Sequence, residues 1–387
     1  MAHSETQNQL FSPLQLRDVV IKNRIVAAPM WQYQGRHGQV QDWHLMHLGR
    51  LAAGGSGLVF QEGTGVERRG CGTLGDIGLW QDDMVAPLQR IVQLMRDCGT
   101  TPGIQLMHAG RKARQLTPAQ GRGALPYQPD IADWDAWMPM GPSAIPAGKG
   151  LDTPLPMSLQ QIQQVVEAFA AAARRAARAG YQVLELHAGH GYLLHSFLSP
   201  LANQRGDAWG GSFDNRCRLL LTVVDAVRAV WPAGLPLFVR LSCTDGAPGG
   251  WTLEDSIALV KRLLPLGVDV IDCSSGGIAG SPLRGGESAS YGYQVELASA
   301  IQAATGARTM AVGLIVHAQQ AEAILRNGDA DLVALARELI YNPNWPMDAA
   351  QKLQDAQDFQ MLTRNEAFWL ERRKATTPDL QPSTFVR

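Results

Sequence analysis

The segment "HAGHGYL", residues 187–193, sets two imidazoles and a phenol close together in the chain. As neutral rings, His187 and His190 can each donate an N–H to one carbonyl oxygen and stabilise the negative charge that builds there during reaction. Tyr192 adds a phenol able to deliver a proton to a carbanion-like centre. Metal ligation is the competing use of paired histidines, but no Cys pair, second His pair or H-E-x-x-H helix completes a ligand set. Either histidine alone reads equally well as a structural turn residue; the group of three reads so less easily.

A second set lies later in the chain. "AVGL" and "LARE" place Gly313, Ala336 and Arg337 at the ends of two apolar runs, where backbone N–H groups can meet a phosphate and an arginine can add a bidentate cation. Arg337 alone could equally serve a structural ion pair. With Arg240 and Gln105 at the ends of two further runs, the set outlines a site with an anion at one end and hydrogen-bonding groups in its middle. That shape suits a flavin mononucleotide (FMN). A third stretch, "PMWQYQG" at residues 29–35, puts Trp31 and Tyr33 on one face of an extended chain, because side chains alternate along a strand.

These residues need a scaffold that brings distant segments to one surface. Eight β-rich apolar runs alternate with helical patterns: "RIVAAPM", "SGLVFQEG", "TPGIQLMHAG", "YQVLELHAG", "PLFVRLSC", "VDVIDCSSGG", "ARTMAVG" and "ADLVALARE". Helices are expected to begin near Asp42, Asp82, Ser158, Asn215, Thr252, Tyr293, His317 and Asn344. The one after Ser158 is the clearest, with a capping serine, an Ala-rich body and Gly180 as its stop. The alternation predicts a single-domain (β/α)8 TIM barrel spanning residues 1–387, in which chemistry gathers at the C-terminal ends of the strands. Residues 111–157 break the rhythm with a Pro-, Gly- and Trp-rich insertion after the third strand. It is read as a packed lid or pocket rim on the catalytic face, with Trp134 and Trp137 as its packing residues, and a plain surface flap as the alternative. Residues 1–9 and 375–387 read as loose tails.

Composition excludes several classes. Lys plus Arg total 34 against 35 Asp plus Glu in 387 residues, with no basic run, so nucleic acid is not an expected partner. No stretch reaches the roughly 18 apolar residues of a membrane span, and the polar start lacks a signal-peptide pattern; a cytoplasmic protein is expected. Cys71, Cys98, Cys217, Cys243 and Cys273 are dispersed and read as reduced structural thiols.

Longer motifs carry a family resemblance over about residues 10–373. "IKNRIVAAPM", "DWHLMHLGRLAAGGSGLVFQEGTGV", "GIQLMHAGRKA", "GPSAI", "ELHAGHGYLLHSFLSPLANQRGDAWGGSFDNR" and "ARELI" together resemble the old yellow enzymes, flavin-dependent ene-reductases. The likeness is greatest to the bacterial subclass of thermophilic-like ene-reductases and xenobiotic reductase A. The resemblance implies FMN held by Pro29, Met30, Gly63, Gln105, Arg240, Gly313, Ala336 and Arg337, with Ser275 and Gly276 of "SSGG" nearby. Arg240 falls toward the N1/O2 side of the ring and Arg337 at the phosphate. It further implies His187 and His190 on a substrate carbonyl, Tyr192 as proton donor and Tyr33 as a substrate contact. Arg372 of "WLERR" is implied to reach a neighbouring subunit's site, hence a homo-oligomer. The implied reaction uses NADPH or NADH to reduce the C=C bond of an α,β-unsaturated carbonyl compound.

One position departs from the pattern. Where that subclass carries a cysteine against the flavin, this chain has Trp31, whose indole is larger and offers only an N–H donor. Trp31 is therefore expected to contact substrate and reshape preference, with an altered flavin potential and a shift toward dehydrogenation as a further possibility; a bulge that turns it away is the alternative. Larger flavin barrels need a cysteine cluster, which this sequence does not show, and added domains, which are not expected here. A non-redox barrel would need a lysine or a metal, and Lys112 and Lys149, the candidates near the mouth, read as loop-exposed. The last alternative is a barrel that keeps FMN only to bind or sense.

Overall fold

The computed structural model describes residues 8–279, 290–355 and 359–377. An antiparallel hairpin, β1 (Leu14–Leu16) and β2 (Val19–Ile21), precedes β3 (Ile25–Ala27), β4 (Leu58–Gly65) and β5 (Thr101–Met107). Two-residue strands β6 (Met140–Gly141) and β7 (Leu155–Pro156) lie in the insertion. After them come β8 (Val183–Ala188), β9 (Leu237–Ser242), β10 (Val270–Ser274), β11 (Arg308–Val312) and β12 (Leu332–Leu335). Eight of these strands close a barrel in the order β3-β4-β5-β8-β9-β10-β11-β12, and every barrel pair is parallel. The helices are α1 (Asp42–Ala53), α2 (Val85–Asp97), α3 (Leu159–Ala179), α4 (Leu193–Leu198), α5 (Phe213–Arg228), α6 (Leu253–Leu263), α7 (Val295–Thr305), α8 (Ala318–Arg326), α9 (Arg337–Tyr341), α10 (Trp345–Lys352) and α11 (Arg364–Thr376). This is the (β/α)8 barrel that the alternation of patterns predicts.

Local chemistry sets the boundaries. Ser158 Oγ accepts the Gln161 N–H at 3.2 Å while the Gln161 side chain returns to the Ser158 N–H at 2.8 Å, and Gly180 ends α3 at φ 93°. Thr252 and Asp255 start α6 in the same way. The expected start near Asp82 falls on a one-turn helix, Asp82–Met84, that runs into α2.

The strand period of two divides the core in two. Leu184, Leu186 and Ala188 of β8 face outward and pack with the helices, while Val183 faces the barrel interior. There it joins Val26, Leu58, Phe60, Phe238, Val270 and Leu332, and the hairpin residues Leu14, Leu16, Val19 and Ile21 cap this apolar end. Each fully buried aliphatic or aromatic side chain of this kind contributes about 1.5–3 kcal/mol. Further along the same strands the inward positions turn polar: Gln105, Glu185, His187, Arg240, Asp272 and Ser274 are all buried. One end of the barrel is thus sealed and the other is equipped for chemistry.

The insertion is packed. Trp137 is fully buried, its indole N–H donates to the Cys71 carbonyl at 3.0 Å, and the Arg68 guanidinium lies 3.9 Å from its ring centre. Arg114 reaches Asp152 at 2.7 Å and stacks on Trp134. At the N-terminus, Asn8 and Gln9 are not loose: Asn8 Nδ2 bonds Asp355 and the Gln9 N–H bonds Glu322. Helix α11 carries order through Thr376, whereas residues 1–7 and 378–387 of the expected tails lie outside the described residues. No helix among the described residues is long and apolar enough to cross a membrane.

Candidate active site

Side chains from β3, β4, β8 and β9 and the segments that follow them meet at the polar end of the barrel. His187 lies next to the end of β8, and the turn after the strand carries His190 at φ 55° and Gly191 at φ 75°. The ring centres of His187 and His190 are 5.0 Å apart, as are those of His187 and Tyr192. The Gly189 N–H donates to His187 Nδ1 at 3.2 Å, so the His187 proton sits on Nε2, which stands 3.2 Å from His190 Nδ1. His190 Nε2 lies 2.7 Å from the Ser274 hydroxyl. Burial first, then the nearby Arg240 charge, holds both imidazoles well below their usual pKa, so both are neutral near pH 7. Because the serine hydroxyl can donate or accept, it permits either tautomer of His190. With the proton on Nδ1, His190 and His187 can each present an N–H to one oxygen.

Burial raises the Tyr192 phenol, keeping it protonated. Beside it, the Lys112 ammonium lies 5.4 Å from the Tyr192 ring centre and donates to the His190 carbonyl at 2.6 Å. Lys112 is therefore not the exposed loop lysine that its sequence setting suggests. Burial pulls its pKa down to about 8.

Trp31 turns into this cluster. Its ring centre is 5.1 Å from that of Tyr192 and 6.1 Å from that of His187. Its six-membered ring lies so close to Gly63 that a Cβ there would come within 2.5 Å of it. A register shift in β4 between Gln61 and Thr64 gives Gly63 its place. The indole N–H is buried and finds no acceptor among the described residues. The loop that carries Trp31 is held from behind by Glu62, a buried carboxylate that accepts the Gln32 N–H at 2.5 Å and stands 3.0 Å from His44 Nε2. This anchoring accompanies Tyr33 at φ 55°, in the left-handed region unfavourable for a side chain of its size.

Two cavities flank the cluster. One of about 210 Å³ is lined by Trp31, Tyr33, Tyr192, Lys112 and Arg122, with Leu116 and Leu151 of the insertion. The other, of about 320 Å³, is lined by His190, Arg240, Ser274, Gly313, Ala336 and Arg337. The second fits FMN. Val312 and Leu335 supply an apolar wall, Arg240 a cation, and Arg337, which makes no hydrogen bond or ion pair among the described residues, a free guanidinium for phosphate. Gly313 sits at φ 116°, where a side chain is strained, and a Cβ there would come within 2.9 Å of the Gln294 side-chain amide.

The remaining expected positions distribute as follows. Pro29 and Met30 are half-buried just after β3, and Gln105 is buried on β5. Ser274 rather than Ser275 lines the cavity; Ser275 turns its hydroxyl to Gln294 at 2.6 Å, and Gly276 bonds back to Thr244. Arg372 is exposed on α11 and lines neither cavity. Ser274 and Glu62 are additions that sequence reasoning missed, and Lys112 is one it placed at the mouth but read as exposed. Glu62 and Ser274 sit in motifs already singled out, but only the pleat tells which neighbour points inward. Among the described residues no cluster of metal-ligating side chains forms.

Comparison with known proteins follows the same lines. The profile of the NADH:flavin oxidoreductase / NADH oxidase family matches residues 9–356. An NADPH dehydrogenase of Geobacillus sp. (strain WCH70) is 42% identical over 349 residues, 90% of this chain and 95% of the relative. One from Geobacillus thermodenitrificans (strain NG80-2) is 43% identical over 346 residues, covering 89% and 94%. Among solved structures, morphinone reductase in complex with tetrahydroNAD superposes with a TM-score of 0.74 at 25% identity, covering 90% of this chain and 91% of that one.

Proposed function

Because the chain belongs to the NADH:flavin oxidoreductase / NADH oxidase family, an NAD(P)H-dependent class that uses FMN, we propose that it reduces the activated C=C bond of α,β-unsaturated carbonyl compounds. The observation that carries this reading is the neutral pair His187 and His190 beside the protonated Tyr192, at the junction of a cavity that fits FMN and one that fits a small substrate. FMN, when bound, would supply the hydride-transfer chemistry between the nicotinamide and the substrate's C=C bond.

The protein's own groups do the rest. Gly313, Ala336 and Arg337 would hold the phosphate, and Arg240 and Gln105 the polar edge of the ring. His187 and His190 orient the substrate through its carbonyl oxygen and stabilise the charge that develops on it. Neutral imidazoles suit this task, because they donate N–H bonds without titrating near neutral pH. Tyr192 gives its phenolic proton to the α-carbon. Trp31 and the insertion narrow the substrate cavity and exclude water. Arg372, out of reach of its own cavities, is assigned to the site of a second copy in a homo-oligomer.

Purified protein should be yellow, bleach anaerobically with NADPH or NADH, and regain colour with 2-cyclohexenone or a maleimide. Protein that cannot be loaded with FMN overturns the reading. A second reading, a related oxidoreductase working on a different substrate or in the dehydrogenating direction, is favoured by Trp31 filling space beside Tyr192. It predicts bleaching by the nicotinamide with no reoxidation by simple enones.

A further inference from the structure

The polar layer inside the barrel holds two acids for which the proposed reaction has no use. Glu185 on β8 and Asp272 on β10 are both 0% exposed and flank β9, the strand that carries Arg240. Two ionised carboxylates facing a single guanidinium in an unsolvated interior would leave one charge uncompensated, which favours a proton on one of them. Their neighbours differ. Gln105 Nε2, a neutral amide, donates to Glu185 Oε1 at 2.8 Å. Arg240 Nε, part of a full positive charge, stands 3.0 Å from Asp272 Oδ2, close enough for an ion pair but not aligned for a hydrogen bond. Beyond these contacts, Glu185 Oε2 and Asp272 Oδ1 meet no donor from the rest of the described protein.

The cation therefore draws the negative charge to Asp272 and leaves the proton with Glu185. Burial points the same way: it lifts the Glu185 carboxyl well above the usual range, with the Asp272 charge adding to the effect, while Arg240 opposes the rise at Asp272. Arg240 is the member of this group that lines the larger cavity. We propose that Glu185 and Asp272 hold a single proton between them beneath Arg240, and that the one remaining carboxylate charge sets how strongly Arg240 favours reduced flavin. The proposal rests on the reading that FMN occupies that cavity with its ring against Arg240.

Reduction places negative charge on the flavin ring. A lone guanidinium in a poorly solvated interior would stabilise that charge strongly, whereas a guanidinium paired with Asp272 presents mainly a dipole. Two ionised acids would make the layer net negative and reduction harder. One shared proton leaves the trio of Arg240, Asp272 and Glu185 neutral. Glu185 and Asp272 thus act through Arg240 and touch neither reacting atom.

The test compares FMN-loaded wild type, Asp272→Asn and Glu185→Gln. Removing the carboxylate charge in Asp272→Asn should move the flavin midpoint potential to a more positive value. Glu185→Gln replaces one neutral group by another and should leave the potential near wild type. Infrared spectroscopy of the wild-type protein at neutral pH should show a protonated-carboxyl C=O band that Glu185→Gln removes. An unmoved potential in Asp272→Asn, an equal positive shift in Glu185→Gln, or absence of the band overturns the proposal. If Asp272→Asn does not fold, the Glu185→Gln potential and the band still decide. Failure to bind FMN would instead defeat the reading of the cavity, and the infrared band, which needs no flavin, would still report on the shared proton.

Discussion

A tryptophan whose N–H is buried without an acceptor is uncommon, since an unpaired buried donor costs about 1–3 kcal/mol. Trp31 tolerates this on the wall of the smaller cavity, which is lined by Tyr33, Tyr192 and Lys112 as well. Replacing it by the smaller thiol in Trp31→Cys should enlarge the cavity of about 210 Å³. We expect kcat/KM for bulky cyclic enones to rise by about 10- to 100-fold, on the order of 1.4–2.8 kcal/mol of transition-state binding. Unchanged enone turnover together with an unchanged flavin midpoint potential would sink this role. Lys112 supplies a pH signature. Its pKa is lowered from 10.5 to about 8, so the buried charge burdens the fold below pH 8. Between about 8 and 10.5 the unfolded chain binds more protons and stability rises with pH. At about 1.4 kcal/mol per unit, the difference is at most roughly 3.5 kcal/mol. Denaturation of Lys112→Met and wild type across pH 7–10.5 should show the variant losing relative stability as pH rises; a pH-independent gap would argue against a buried ammonium. Trp31 stands out in the sequence because motifs on both sides of it set an expectation that it breaks. Lys112 does not, because its burial depends on a carbonyl from the next βα unit.

At the level of elements, helix limits were legible wherever a side chain caps a backbone, as Ser158 and Thr252 do, and strand limits wherever apolar runs stop. The insertion was legible as an interruption and as a packed segment, through its tryptophans. Its partners were not, because Trp137 hydrogen-bonds Cys71, a residue distant in sequence. That contact gives the segment a testable task. Trp137→Ala removes a fully buried indole, a change that typically costs about 3–5 kcal/mol where the surroundings cannot collapse. Because Leu116 and Leu151 belong to the same insertion and line the substrate cavity, the loss should appear as faster proteolysis within residues 113–157 and a raised KM for enone. Flavin affinity should stay the same, since the larger cavity is lined by other segments. Equal weakening of FMN binding would show that the insertion supports the barrel rather than the substrate cavity.

For the whole molecule, polarity along the barrel axis separates stability from chemistry. The hairpin end is sealed by Leu16 and Ile21, whereas the opposite end gathers the histidines, Tyr192 and Arg240. What a single chain leaves unexplained is α11. Phe368 and Trp369 are 52% and 64% exposed there, beside Arg372, which its own chain does not bring to either cavity. Large exposed aromatics next to a cation suit a protein interface, and a second copy of this chain would give Arg372 a site to enter. Two variants separate assembly from contact. Trp369→Asp places a charge among the aromatics and should shift sedimentation toward the monomer while lowering enone turnover. Arg372→Ala should leave the assembly intact yet raise the enone KM several-fold, with flavin reduction by NADPH unaffected. Sedimentation of the wild type as a monomer at catalytic concentrations, or unchanged kinetics in Arg372→Ala, would confine the whole reaction to one chain.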